Sequence, residues 1–301
     1  MNDHPSDNRI EIRKLRHRAE RPLKIAALLL SLCVDGLLTY LSIRALKNPE
    51  SENLLIEYVS VEEEFFEPLI RYGVFFVAAA FVVLCIVIVW RFFKNFGETV
   101  SCDLPVTDRQ FADLKESCEL YAKKLGLGFV PELYISQTGS AEIETSFMTI
   151  KSERYIRLDC YYALTACDTG NYNAVRFLIA SELAHIALGH RNMLWTLLTI
   201  PARALPIFKD IAARAMNYSA DAVAAALIGN KEAIEAIVIL SNDPYMADQI
   251  DKDVYVDDII QQGGGIHRSA RSYYNFISNV SVPAYRIAAL KDPEKKSGRL
   301  F

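Results

Sequence analysis

The sequence predicts an α+β protein, mainly helical, in which two N-terminal transmembrane helices precede a larger domain that carries a small β-sheet. Three observations predict it. Two apolar runs long enough to cross a bilayer stand in the first third of the chain, helical periodicity recurs after Val106, and short β-rich stretches interrupt it. The 301 residues are 51% hydrophobic and 23% charged, with a mean hydropathy of +0.13, which is more apolar than a wholly water-exposed domain needs. Charge excludes a different class. With 33 Lys and Arg against 37 Asp and Glu, net −4, the chain is not built mainly to hold nucleic acid.

Residues 1–24 form a basic leader with Arg9, Arg13, Lys14, Arg16, Arg18, Arg21 and Lys24. The first span is placed at residues 25–46, where Ile25 to Ile43 is apolar apart from Asp35. A carboxylate at mid-helix costs about 2.5–3.5 kcal/mol, which the surrounding leucines offset. Asp35 is read either as a contact with a membrane partner or as a protonated acid tolerated near Ser31 and Thr39. Residues 47–68 form a loop with one Lys and seven Glu, and the second span, residues 69–93, contains the uncharged run Gly73 to Trp90 followed by Arg91 and Lys94. Lys and Arg on short flanks stay inside, so both termini are expected in the cytoplasm and the acidic loop outside, in a plasma (inner) membrane. The six cysteines contain no C-x-x-C pair and read as packing residues or free thiols.

A domain at residues 100–291 follows, then a charged tail at 292–301. From Val106, the positions Phe111, Leu114, Cys118, Tyr121 and Leu125 mark an amphipathic helix with Gly126 as its stop. PELYIS, SAEIETSFMTI and ERYIRL read as strands, and Tyr172 to His190 as a buried helix. The apolar stretch from Met193 to Phe208 is broken by Pro201 and Pro206, which predicts a membrane-surface segment or a helical lid. Helices are expected over Lys209 to Ile228, Lys231 to Leu240 and Pro283 to Leu290, and a mobile loop over Asp243 to Gly265.

The most informative residues are SELAHIALGH, Ser181 to His190. In the H-E-x-x-H pattern two imidazoles one turn apart reach one zinc ion and the glutamate acts as general base on the metal-bound water. Here Glu182 and His185 hold the second and fifth places, and Ser181 holds the first. The stretches IASELAHIALGHRNML from Ile179, ARAMNYSADAVAAAL from Ala213 and SVPAYRIAAL from Ser281, with two spans ahead of them, stand in a familiar order. In these residues the chain resembles the HtpX-like and CAAX-prenyl-protease family of membrane zinc metallopeptidases, of gluzincin type. The resemblance implies a gluzincin-like fold for the domain and carries roles onto matched positions. Glu182 takes the place of the general base, His185 that of the retained zinc histidine, and Asp221 that of the supporting aspartate. Ser181 and Asn217 stand where a histidine and a glutamate ligand belong.

A neutral hydroxyl and a carboxamide are poor zinc donors, so two of three ligands are lost and no cofactor is expected. The small polar replacements are expected to hydrogen-bond Glu182, His185 or Asp221 in place of a metal. His190 is a candidate substitute ligand, but on a continuous helix it lies about 140° round the axis from His185; only a helix end, for which Gly189 is suited, brings it back. His267 is a more distant candidate. Two readings stay open. The first is a membrane-anchored pseudopeptidase that binds a peptide or a membrane protein, with the resemblance placing an added peptide strand along a sheet edge at Ile143, Phe147 and Ile150. The second is an active zinc endopeptidase with a relocated ligand set, acting in membrane protein quality control.

Overall fold

The structure is a computed structural model that describes residues 10–47, 73–137, 155–190, 198–205, 207–261, 265–278 and 281–292, with a few single positions besides. It is mainly helical with one three-stranded sheet. Two long helices come first, α1 (Glu20–Lys47) and α2 (Gly73–Cys102). Both run past the expected spans, and α1 begins inside the basic leader. Among the described residues no helix is long and apolar enough to cross a membrane. Many side chains of these two helices, at 38, 41–42, 44–47 and 73–78 for example, lie outside the described set.

Strand β1 (Leu104–Pro105), helix α3 (Ala112–Lys124) and strands β2 (Glu132–Ser136) and β3 (Tyr155–Asp159) follow. β2 lies at the centre, antiparallel to β1 and parallel to β3, with Leu133 opposite Ile156 and Ile135 opposite Leu158. Both longer strands are buried on two faces, as parallel strands covered on both sides are. The expected strand SAEIETSFMTI lies outside the described residues. At Asp159 the chain turns directly into α4 (Cys160–Thr169), because the Asp159 carboxylate accepts the Tyr161 N–H at 2.8 Å and caps the new helix.

Helix α5 (Asn173–Ala187) is the centre of the core. Val175, Phe177, Ile179, Ala180, Leu183 and Ala184 are fully buried on it, and α3, α4, β3, α7 and α8 pack around them. Burying each large apolar side chain of this kind contributes about 1.5–3 kcal/mol. A short helical turn, α6 (Ile200–Arg203), packs along α1, and the Ala202 N–H donates to Ser31 Oγ at 3.2 Å. A π-helical turn over Ile207–Ile211 leads into α7 (Ala212–Ile228), followed by α8 (Asn230–Ser241).

The expected loop from Asp243 to Gly265 is corrected: a 3-10 turn (Ala247–Gln249) and a helix, α9 (Lys252–Gln261), occupy most of it. The Asp251 carboxylate caps that helix by accepting the N–H groups of Asp253 at 2.9 Å and Val254 at 3.1 Å. Helix α10 (Gly265–Ile277) was not foreseen, and α11 (Pro283–Lys291) falls where the closing helix is expected.

Candidate functional site

The motif positions sit on the two helices that pack most extensively, α5 and α7. Ser181, Glu182 and His185 lie in the second half of α5; Asn217 and Asp221 lie one turn apart on α7. Glu182 and Asp221 are buried, whereas His185 and Asn217 are half-buried. The Ser181 hydroxyl donates to the Leu178 carbonyl of its own helix at 3.3 Å. Both Asp221 oxygens accept from the Arg286 guanidinium on α11, at 2.7 Å each. That bidentate pair ties the closing P-x-x-R element to the site helices.

Helix α5 stops three residues short of His190, and the stop is a Schellman motif. Gly189 takes the left-handed conformation at φ 66, its N–H bonds the Ile186 carbonyl at 3.0 Å, and the His190 N–H bonds the His185 carbonyl at 3.0 Å. His190 is thereby folded back onto His185. Their Nδ1 atoms are 2.8 Å apart and the rings meet edge to face. This is a hydrogen-bond separation: two nitrogens on one tetrahedral zinc, each bonded at about 2.0–2.1 Å, would lie roughly 3.3 Å apart.

The other nitrogen of His190 faces a residue that the sequence reading left out. Glu20, from the start of α1, is fully buried, with Oε1 3.1 Å from His190 Nε2. The ring N–H is not aligned with that oxygen, so the contact is electrostatic rather than a directed hydrogen bond. Ser219 Oγ donates to Glu20 Oε2 at 2.6 Å and accepts the His17 N–H at 2.9 Å. Arg16 pairs with Glu20 and also donates to the Leu188 carbonyl at 2.7 Å, satisfying an acceptor at the end of α5. Lys24 Nζ lies 3.1 Å from the same carboxylate, and the His17 ring stacks on Tyr218. The leader therefore straps the C-terminal end of α5 to the middle of α7.

Burial pushes the Glu20 carboxyl up, but His190, Ser219 and Lys24 outweigh it and hold it well below the usual carboxylate range. His190 moves down, because its burial outweighs the attraction of Glu20. At neutral pH the pair is an ionised carboxylate beside a neutral imidazole. The contact between the two Nδ1 atoms requires the proton on one of them and a lone pair on the other.

The expected single cluster of Ser181, Asn217, Glu182, His185 and Asp221 is thus divided. Asp221 belongs to an ion pair with α11, and the imidazoles belong to a chain that ends on Glu20. The donor set does not fit a catalytic zinc. Ser181 and Asn217 are neutral, the Asp221 oxygens are committed to Arg286, and His190 is committed to His185 and Glu20. Among the described residues no three His, Cys, Asp or Glu side chains are placed to hold a metal ion. His267 stands on α10, exposed. Ile143, Phe147 and Ile150 lie outside the described residues. The described cysteines are free thiols, and burial pushes Cys118 up to about 12, which leaves it inert.

Glu20 carried a weak sequence signal, one of four acids in a basic leader. Comparisons with protein-family models, with curated proteins and with solved structures find no match.

Proposed function

We propose that this chain is a membrane-anchored pseudopeptidase of HtpX-like ancestry, which acts by binding a peptide or a membrane-protein segment and does not cut it. The observation that carries the reading is the commitment of the candidate ligands. With Asp221 on Arg286 and His190 between His185 and Glu20, one imidazole is left at the motif positions, and one imidazole does not hold zinc. The leader strap points the same way, since it fills the space between the end of α5 and the middle of α7 with its own charged side chains.

α1 and α2 are the anchors in this reading. Ile25, Leu29, Leu32, Leu37, Tyr40 and Ile43 on α1, and Val82, Val83, Ile86, Trp90 and Phe93 on α2, present apolar side chains outward, a surface suited to lipid. The basic leader and the Arg91–Lys94 flank support a cytoplasmic side for the domain in this reading. Binding through main-chain hydrogen bonds to a sheet edge suits a partner of variable sequence.

Incubation of the full chain and of Glu182→Gln with an unfolded protein substrate tests the reading. Equal inertness of the two is expected. Cleavage by the wild type that Glu182→Gln abolishes would establish the endopeptidase alternative instead.

A further inference from the structure

We propose that α10 is a third membrane contact: a helix lying in the plane of the bilayer, its apolar face in the headgroup layer of an anionic leaflet. The inference rests on the reading of α1 and α2 as anchors and adds a surface to it. At 3.6 residues per turn, Ile266, Ala270, Tyr273, Tyr274 and Ile277 fall within an arc of about 100° on α10, and Asn275 falls opposite them. In a helix of a water-exposed domain the apolar arc faces the core. Here the arrangement is inverted. Asn275 is fully buried, while Ile266 is 85% exposed, Tyr273 66%, Tyr274 57% and Ile277 50%.

The inversion is fixed by the polar side of the helix. The Asn275 carboxamide oxygen accepts the Val282 N–H at 3.5 Å. The fully buried Arg214 on α7 donates to the Phe276 carbonyl at 3.3 Å and to the Ser278 carbonyl, which satisfies acceptors at the C-terminal end. The outward apolar face is therefore held in place.

Position and charge select lipid as the occupant. α10 packs on the π-helical turn Ile207–Ile211, that turn packs on α6, and α6 packs on α1. The contact at Ser31 is six residues beyond Ile25, where the apolar run begins, or about 9 Å into it along the axis. α10 is thus on the side of the domain that meets the bilayer. It has no acidic residue; His267 is exposed beside the apolar arc, next to Tyr274, and Arg268 is exposed on the Asn275 side, in a chain whose net charge is −4. Tyrosines around aliphatic side chains match the chemistry of the headgroup layer, where such a face sinks about 5–10 Å. Anionic lipid adds attraction for the cations.

The test uses the full chain carrying Trp90→Phe and Trp195→Phe, reconstituted into phosphatidylcholine vesicles with about a quarter phosphatidylglycerol. A single reporter is added as Tyr273→Trp on α10, or as Leu164→Trp on α4, whose neighbours are the sheet and α5. With lipids brominated near the headgroup, the Tyr273→Trp reporter is expected to lose roughly half its emission, and the Leu164→Trp reporter to change little. Equal quenching of the two in a chain that floats with the vesicles overturns the α10 contact and leaves the anchors standing. Emission from the Tyr273→Trp reporter that shifts with protein density and not with bromination assigns the face to a second copy, which also overturns it. A chain that fails to float overturns the anchor reading and this contact together.

Discussion

Glu20 joins more of the site than any motif residue, and removing its charge has a calculable effect. Glu20→Gln leaves Arg16, Lys24 and Ser219 facing a neutral amide; because both cations can turn partly to water, the loss expected is that of a charged hydrogen bond, about 1.5–3 kcal/mol. Denaturant unfolding of the full chain measures it, and a change within error of zero would mean the strap is not seated. Acidification acts on the same contacts. The folded state holds His190 below its ordinary 6.5, so as pH falls through that value the unfolded chain takes up a proton that the folded chain refuses, and stability drops. Glu20 is held below its ordinary 4.5, so its contribution is present above that pH and disappears as pH falls further, through the folded value. Both act in one direction: the melting temperature should decrease from about pH 7 to pH 5, with a shallower slope in His190→Asn. A melting temperature that rises on acidification contradicts this arrangement. Ser181, Glu182 and His185 were legible because their spacing is a local pattern. Glu20 was not, since its partner Ser219 is 199 residues away and nothing in a basic leader names the helix it will meet.

At the level of single elements, Gly126 and Gly189 end α3 and α5 by the same device; the Gly126 stop could be read because a glycine after a periodic run supplies the left-handed residue, whereas the helix expected from Tyr172 to His190 ends early, at Ala187. Gly189→Ala meets no atom within 4 Å, so its cost is conformational alone, about 1–2 kcal/mol, with His190 displaced from His185. Gly97, inside α2 with equally open space, should respond oppositely: Gly97→Ala is expected to stabilise by about 0.5–1 kcal/mol. Thermal unfolding of the two variants checks the pair, and the same sign for both would contradict the assigned backbone conformations. Helix α9 was misread as a loop because acidic residues and the glycines at 263–265 mask it, although Asp251 was available as an N-cap. Helix α4 was hidden because β3 runs into it without a connecting loop. For α10 the periodicity was present but its apolar face points away from the core, so packing logic gave no reason to place it.

Across the whole molecule, the proposed resemblance to a zinc peptidase and the proposed loss of its chemistry turn on one arrangement. The scaffold of α5, α7 and α11 is joined by Asp221 and Arg286, and the leader occupies the place beside the imidazoles. If the proposed loss of zinc rests on Ser181 and Asn217, Ser181→His with Asn217→Glu should confer zinc binding, and neither change alone should, because three ligands act as a unit. Equilibrium dialysis against zinc separates these outcomes; a double variant that binds no more than the wild type would show that the strap and the His185–His190 contact also exclude the ion. Strands β2 and β3 and the helical core were legible from periodicity, whereas β1, two residues long, was not, and the strap depends on contacts between distant segments and emerged only in three dimensions. The most direct measurement is the zinc content of the full wild-type chain, purified without chelators from zinc-supplemented medium, beside that of His185→Ala. Well under one zinc per chain in both is predicted; about one per chain in the wild type, lost in His185→Ala, would contradict the account.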